Sequence, residues 1–246
     1  MRKNLSSNNL KTIAIIAMTV DHTAFLFIEK HSLLYYFMRM FGRLTAPIMT
    51  FLLVEGFRHT HNRKKYLIRL ITFGLISQPI YFRFIYSKWP ESIVEFLLSW
   101  NVMYTLAVSL IALMWMDSQK KWTVQGIVLF ALSFSLAGFG DWSLMIPAWA
   151  IFFFFTNKYK AKLTNTMNSI LYVLGTATVQ TFLFAGQYDS FASFSFQLGT
   201  VFAIIPIQMY NGKRGSIRHE KLNRWFFYVY YPAHMAVLLL VQAAFS

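Results

Sequence analysis

The first long apolar stretch decides how the rest of the chain is interpreted, and it reads Leu10-Lys11-Thr12-Ile13-Ala14-Ile15-Ile16-Ala17-Met18-Thr19-Val20-Asp21-His22. The stretch is typical of a membrane-spanning helix, yet an acid and an imidazole stand side by side within it. Ionisable groups are costly in hydrocarbon and usually mark a functional site there. The sequence therefore predicts a membrane helix that carries part of such a site.

The composition is that of a polytopic membrane protein. Of the 246 residues, 57% are hydrophobic and 13% are charged, whereas a soluble domain carries about 25% charged residues. The 23 Lys and Arg residues outnumber the 9 Asp and Glu residues, but they lie mainly in short loops, where they set topology and meet anionic headgroups. The lipid bilayer is therefore an expected partner and nucleic acid is not. The absence of cysteine excludes a thiol nucleophile.

Nine apolar segments are candidates for spans, each of which needs about 20 residues. They are residues 11–28, 34–57, 66–86, 93–116, 122–139, 142–156, 165–185, 191–209 and 225–245. Basic residues are concentrated in every second loop, which predicts nine spanning helices with the N terminus inside and the C terminus outside. The expected fold is an all-α transmembrane bundle in one integral domain over residues 1–246. The first span is expected to be retained, because no signal-peptide cleavage site follows it closely.

The second span is unusual because polar and helix-breaking residues interrupt it. Arg39, Gly42, Arg43 and Pro47 all fall inside the apolar segment. Backbone freed by such a break must be buried in protein or line a watery cavity. We therefore expect a broken or re-entrant segment near residues 34–47 and a regular helix from about Thr45.

Asp21 and His22 are adjacent, so on a helix their side chains point about 100° apart and contact different partners. Lys11 lies on the same helix face as His22, about 16 Å away. Lys11 is thus a candidate anchor for a phosphate-bearing cosubstrate, and His22 is a candidate base. The alternative is that Lys11 reaches to headgroups and His22 satisfies a polar neighbour.

Arg43 and His234 extend this set of buried polar groups. An intramembrane arginine needs a carboxylate, carbonyls or water, and Asp21 is its expected partner. His234 follows Tyr231 and Pro232, which places a second imidazole inside the last span. A purely structural pairing of the arginine remains the alternative.

The end of the second span carries a basic surface. Arg58 and Arg69 are candidate phosphate ligands, and Glu55 and His59 lie beside them. The alternative is an ordinary positive loop that orients the protein. No acidic ligand cluster accompanies the histidines here, so no metal site is expected.

Two further polar groups interrupt the third and fourth spans. Gln78 precedes Pro79 inside one helix, and Asn101 shares a face with Thr105 on the next. Both amides are suited to hydrogen bonds across helices, either as packing contacts or on a substrate surface. Asp141 and Trp142 are expected at the outer interface, where Trp is a common anchor.

These residues, in this order, resemble the TraX family of pilin acetylases. The matching blocks run through nearly the whole chain: Leu10 to Ala14, Met18, Asp21-His22, Gly42-Arg43, Ala46-Pro47, Glu55 to Phe57, His59-Thr60, Tyr66, Arg69, Ser77 to Pro79, Asn101 with Thr105, and Tyr231-Pro232 with His234. The family is distantly similar to membrane acyltransferases that O-acetylate surface sugars. Their first helix carries a basic residue, ten residues and a histidine, a spacing that Lys11 and His22 share, with lysine in place of arginine.

The resemblance implies a multi-pass enzyme of the bacterial inner membrane that uses acetyl-CoA. Its acceptor would be the N-terminal amine of a pilin-like protein or the hydroxyl of a cell-surface glycan. In this hypothesis the catalytic residues are His22, Asp21, Arg43 and His234; the acetyl-CoA ligands are Lys11, Glu55, Arg58, His59 and Arg69; and the acceptor side holds Gln78, Asn101 and Tyr231. The competing interpretations are a proton-coupled transporter and a non-catalytic partner in the assembly of surface appendages.

Overall fold

The computed structural model describes residues 3–30, 32–118, 131–132, 134–158, 165–184, 195–215 and 220–245. Throughout these ranges the regular structure is helical. The extended pairings among them are two isolated bridges, Leu5 with Tyr210 and Trp100 with Gly140. The prediction of an all-α fold is confirmed.

The helices follow the chain in a simple order. They are α1 (Ser7–Phe27), α2 (Leu33–Gly42), α3 (Thr45–His59), α4 (Arg63–Tyr86), α5 (Ile93–Leu97), α6 (Val102–Ser118), α7 (Met145–Lys158), α8 (Asn165–Phe184), α9 (Gly199–Phe202), α10 (Ile204–Gln208) and α11 (Glu220–Phe245), with a 3₁₀ turn at Phe196–Leu198 before α9. Residues 131–132 and 134–137 are also helical.

Among the residues that the structure describes, three segments are long and apolar enough to cross a membrane: Ser7–Phe27, Leu33–His59 and Trp225–Phe245. Shorter apolar helices accompany them at Val102–Ser118, Met145–Thr156 and Phe196–Gln208. The chain is therefore a helical membrane protein. Most of the predicted fifth span, 122–139, lies outside the described residues, as does the start of the predicted eighth span.

Helix α1 begins where its sequence caps it. The Ser6 hydroxyl accepts a hydrogen bond from the Asn9 backbone N–H, and the Asn9 side chain accepts one from the Ser6 N–H. Such a reciprocal cap satisfies two of the donors that a helix start leaves free. Helix α1 then runs uninterrupted past Asp21 and His22, and it packs against α2, α3 and α11.

The second span is broken, as predicted, and its regular part begins at Thr45. The break is confined to Arg43 and Leu44, both of which keep right-handed helical dihedrals, and Pro47 falls in the first turn of α3, where proline is tolerated. Helices α2 and α3 together therefore form one interrupted 27-residue segment.

The predicted fourth span is not one helix, and this prediction was wrong. Residues 93–97 form the short helix α5, and α6 begins only at Val102. Asn101 produces the break, because its side-chain oxygen accepts the Met103 N–H and so caps α6. The predicted eighth span is similarly divided over its described part into a 3₁₀ turn and the short helices α9 and α10.

One end of the bundle carries a group of basic residues, and we call it the basic end; the group is Lys11, Arg58, Arg63, Lys64, Lys65, Arg69, Lys213 and Arg214. It comprises the start of α1, the end of α3, the start of α4, the end of α6 and residues 209–214. Several contacts join these parts. Among them, the Asn211 N–H donates to the Leu5 carbonyl at 2.8 Å, and Arg63 pairs with Asp117 at 2.7 Å.

Candidate functional site

The two predicted intramembrane histidines meet each other. His22 on α1 and His234 on α11 lie 2.6 Å apart, measured from Nδ1 to Nε2. His234 Nδ1 in turn lies 2.8 Å from the carbonyl oxygen of Tyr230. The chain of contacts therefore runs from one spanning helix through both rings to the backbone of another.

Aromatic rings hold this histidine pair. The Tyr230 ring stacks on His234 with centroids 5.1 Å apart, and its hydroxyl lies 2.6 Å from Thr19 Oγ1 on α1. Phe84 packs against the other side of the pair, 4.9 Å from the His22 ring. Neutral imidazoles held in this way can act as a base and as its orienting partner.

Asp21 and His22 have different partners, as their positions on the helix predict. Asp21 Oδ2 accepts a hydrogen bond of 2.8 Å from Arg39 Nη1, and both side chains are largely buried. The prediction named Arg43 as the partner of Asp21, whereas the ion pair seen at this carboxylate is with Arg39, four residues earlier. Gly42 makes this contact possible, since a Cβ there would stand 2.2 Å from the Asp21 Cβ.

Arg43 lies at the centre of a neighbouring cluster. Its guanidinium stands 4.9 Å from the Trp142 ring centroid and 4.8 Å from that of Phe196. Asp141 is also within electrostatic reach of Arg43 and of Asp21. Arginine over aromatic faces in a desolvated setting is a favourable arrangement.

Sequence reasoning missed Asp141 as a member of this cluster. The place of Asp141 and Trp142 at the outer interface stays a prediction, and the structure adds that their turn lies against Arg43. Thr105 holds the turn by donating to the Asp141 carbonyl at 2.8 Å. Trp142 and Ser143 have positive φ angles of 60° and 35°, a strained conformation that surrounding contacts must impose and that is frequent at functional sites. The sequence signal was the acid itself, in a chain with few acids.

The basic end contains a cavity of about 680 Å³. Four Lys and Arg side chains line it, and one carboxylate, that of Glu55, lies among them. The cations are Lys11, Lys65, Arg69 and Arg214. Of the five predicted cosubstrate ligands, four line this cavity: Lys11, Glu55, His59 and Arg69.

Arg58, the fifth, is positioned by Glu55 at the edge of the cavity. Its Nη1 lies 3.3 Å from one Glu55 oxygen, and His59 Nε2 lies 3.5 Å from the other. Burial, together with this carboxylate, raises the pKa of the Tyr210 hydroxyl to about 12. Glu55 therefore organises three side chains at the cavity rim.

Arg69 is the cation best placed to bind an anion in the cavity. Its guanidinium carbon stands 5.5 Å from the Tyr66 ring centroid. Its Nε is buried, and no hydrogen-bond acceptor for that atom occurs among the described residues. A phosphate oxygen is a suitable acceptor for such a donor, so the residues present fit a phosphate-bearing ligand.

Gln78 and Asn101, predicted on the acceptor side, are completely buried and bonded to each other. The Gln78 amide also donates to the Ser99 carbonyl, and the Asn101 amide donates to the Gly74 carbonyl at 2.7 Å. These contacts use both amides within the protein, which favours a packing role. Tyr231, in contrast, lies next to His234, with ring centroids 6.0 Å apart.

The part of the chain that the structure describes contains no group of three or more His, Cys, Asp or Glu side chains arranged to hold a metal ion. The ionisable groups that surround His22 and Asp21 are His234, Arg39, Arg43 and Asp141. The chemistry they offer is proton transfer and charge stabilisation by side chains.

Comparison with known proteins gives the family. The TraX protein family matches residues 6–242. The probable fimbrial assembly protein FimC, serogroup H1, of Dichelobacter nodosus is 35% identical over 242 residues, which cover 97% of each chain. Protein TraX of Escherichia coli is 31% identical over 133 residues, covering 52% of this chain and 48% of that protein. No solved structure matches the chain significantly. With a match that extends from the first helix to the last, the chain belongs to the TraX family.

Proposed function

We propose that this protein is an acetyltransferase of the bacterial inner membrane that moves an acetyl group from acetyl-CoA to the N-terminal amine of a pilin-like protein. The observation that carries the proposal is the basic cavity, which is lined by the half-buried Arg69, whose Nε is buried without an acceptor among the described residues. The name of the fimbrial assembly relative supports a pilin-like acceptor.

The proposed topology has the N terminus inside the cell. It turns the basic end toward the cytoplasm, where acetyl-CoA is made. Lys11, Lys65, Arg69 and Arg214 would hold the phosphates of the cosubstrate, and Glu55 would keep Arg58 and His59 at the rim. Bound acetyl-CoA supplies an activated acyl group and a good leaving thiol.

The histidine pair lies deeper than the cavity. Tyr228 lines the cavity, and His234 follows it by about 9 Å of helix rise on α11. The acyl end of a cosubstrate anchored on the basic residues would therefore have to pass Tyr228 to reach the pair.

His22 acts in this proposal as the general base. It takes the proton that the acceptor amine loses as the amine nitrogen bonds to the acetyl carbonyl carbon, and it returns that proton to the departing thiolate. Arg39 and Arg43, which lie within electrostatic reach of His22, stabilise the negative charge that develops on the carbonyl oxygen. A general base contributes about 100- to 10,000-fold to such a rate.

The test is transfer of labelled acetyl from acetyl-CoA in inverted membrane vesicles that contain a co-expressed pilin-like protein. We expect label on the N-terminal residue of that protein, and we expect its loss in His22→Ala. The control is Thr176→Val on α8, which removes the acceptor of the indole N–H of Trp149 on α7. Both residues lie away from the histidines. Label on glycan would reassign the acceptor to a sugar hydroxyl, and absence of label from all products would refute acetyl transfer.

A further inference from the structure

The contacts of the histidine pair determine where its protons lie. His234 Nδ1 faces the Tyr230 carbonyl oxygen at 2.8 Å. A carbonyl oxygen accepts and never donates, so the hydrogen of this bond belongs to His234 Nδ1. In a neutral imidazole the other nitrogen then carries a lone pair, and His234 Nε2 is an acceptor.

The same reasoning applies to His22. Its Nδ1 lies 2.6 Å from His234 Nε2, which accepts, so His22 Nδ1 must donate. The lone pair of neutral His22 is therefore on Nε2. A general base must be neutral to accept a proton, and in the neutral pair this is the one arrangement that satisfies both contacts.

We propose that His234 is a positioning residue that holds His22 in its Nδ1–H tautomer, and that His22 Nε2 is the atom that receives the proton of the acceptor. This inference rests on the acetyl transfer proposed above. It assigns the base to one atom and gives His234 the part that a buried carboxylate plays in many hydrolases, orienting the ring and fixing the tautomer.

The surroundings of the pair hold the rings in this orientation. The His22 and His234 rings lie within 5° of parallel, and the Tyr230 and His234 rings within 6°. The Thr19 hydroxyl, one turn before His22, meets the Tyr230 hydroxyl, so α1 and α11 are tied together beside the pair. Ring rotation would break the contact between the histidines and the contact with the Tyr230 carbonyl.

His22 alone accepts and returns the proton in this step. The amine N–H bond breaks as the N–C bond forms, and the proton moves to His22 Nε2. The C–S bond then breaks, and the thiolate takes the proton from Nε2 to leave as a thiol. His22 keeps its Nδ1–H bond to His234 throughout, so no proton has to cross the pair.

Two variants at one position separate orientation from bulk packing. In His234→Gln the side-chain oxygen can stand where Nε2 stands and accept from His22 Nδ1, whereas in His234→Leu no acceptor remains. We expect His234→Leu to lose about 100-fold or more in kcat, within the range of a general base. We expect His234→Gln to recover most of that loss, and KM for acetyl-CoA to change little in both. Thr176→Val again controls for the loss of a buried polar contact.

A spectroscopic readout tests the tautomer without any turnover. In ¹⁵N-histidine-labelled protein in detergent, protonated and unprotonated ring nitrogens have distinct chemical shifts, and His22→Gln identifies the His22 signals. We expect protonated Nδ1 and unprotonated Nε2 for His22 in the wild type and in His234→Gln, and a mixed population in His234→Leu. An Nε2–H tautomer in the wild type would overturn the inference, as would equal wild-type activity of both variants. Absence of acetyl transfer with the expected tautomer would instead reject the proposed reaction.

Discussion

Asp21 and Arg39 form a buried ion pair of 2.8 Å between α1 and α2, with only 11% and 12% of their side chains exposed. The pair joins the first spanning helix to the interrupted segment just before its break. Because Asp21 immediately precedes His22, the ion pair also restrains the helix turn that presents the imidazole. We therefore propose that the charge in the first helix serves structure and that the neighbouring ring serves the chemistry.

Breaking this ion pair should lower the free energy of unfolding much more than deleting an exposed ion pair. Arg39→Ala leaves a carboxylate buried without its cation, and removal of one member of a buried pair typically costs about 3–5 kcal/mol. We expect the double variant Asp21→Ala, Arg39→Ala to be less destabilised than the sum of the two single variants. Thermal unfolding in detergent measures this coupling. Lys88→Ala, at the exposed pairs with Glu91 and Glu95, serves as the control and should cause no measurable shift. Additivity of the two single variants would contradict the proposed coupling.

Gly42 should not tolerate even one added methyl group. Its position is in direct contact with Asp21, and a Cβ would stand 2.2 Å from the Asp21 Cβ. Gly42→Ala must therefore push α2 away from α1, and overpacking of this kind costs about 1–3 kcal/mol. Gly175→Ala on α8 is the matched control, because nothing lies within 4 Å of its would-be Cβ. A melting temperature unchanged in Gly42→Ala would show that the two helices pack less closely than described.

Much of the site's geometry follows from helical periodicity alone. The angle between adjacent residues predicts that Asp21 and His22 have separate partners, and the structure gives them Arg39 and His234. The choice between Arg39 and Arg43 does not follow in the same way. The two arginines are four residues apart and share a helix face, so periodicity does not choose between them. In the structure Gly42 packs closely against Asp21, and Arg43 contacts Trp142 and Phe196 instead.

Asp141 could not be assigned because its position depends on contacts between distant segments. It lies in a turn before α7, and nothing in the local pattern shows that Thr105 fixes that turn or that Trp142 meets Arg43. The break before α6 had a local signal, an asparagine at a helix start, but a continuous apolar run concealed it. Apolar runs define which residues enter the membrane more reliably than where a helix stops.

Arg69 should contribute to cosubstrate binding and not to the chemical step. Arg69→Gln removes a charged, half-buried donor from the cavity, and we expect KM for acetyl-CoA to rise about 10-fold, equivalent to about 1.4 kcal/mol, with kcat nearly unchanged. Lys64→Gln is the control for the change in charge, because Lys64 is exposed and lies outside the cavity lining. Initial rates at varied acetyl-CoA measure both constants. A fall in kcat at constant KM would place Arg69 at the reacting centre.

Asp141 should make stability depend on pH. Burial raises the pKa of its carboxyl from 3.8 to about 6, even though Arg43 and the Trp142 N–H act in the opposite direction. A raised pKa in the folded state means that folding favours the protonated acid. The protonated carboxyl therefore stabilises the folded state below about pH 4, and this contribution to stability is lost as the pH rises through about 6. Between pH 5 and 7.5 the wild type should lose about 1 kcal/mol relative to Asp141→Asn. Parallel pH profiles of the two melting temperatures would rule out this role for Asp141.

A substitution at Asn101 distinguishes a packing role of this residue from a role in binding substrate. Its amide donates to the Gly74 carbonyl and to Gln78, and its oxygen caps α6, all within a fully buried site. Asn101→Ala leaves several of these groups unsatisfied, at about 1–3 kcal/mol for each buried group that loses its partner. We therefore expect a large fall in melting temperature, with KM for both substrates unchanged in the protein that remains folded. Ser92→Ala, which removes an exposed cap at α5, should cause a much smaller shift. A normal melting temperature with a raised KM for the acceptor would move Asn101, and Gln78 with it, to the substrate surface.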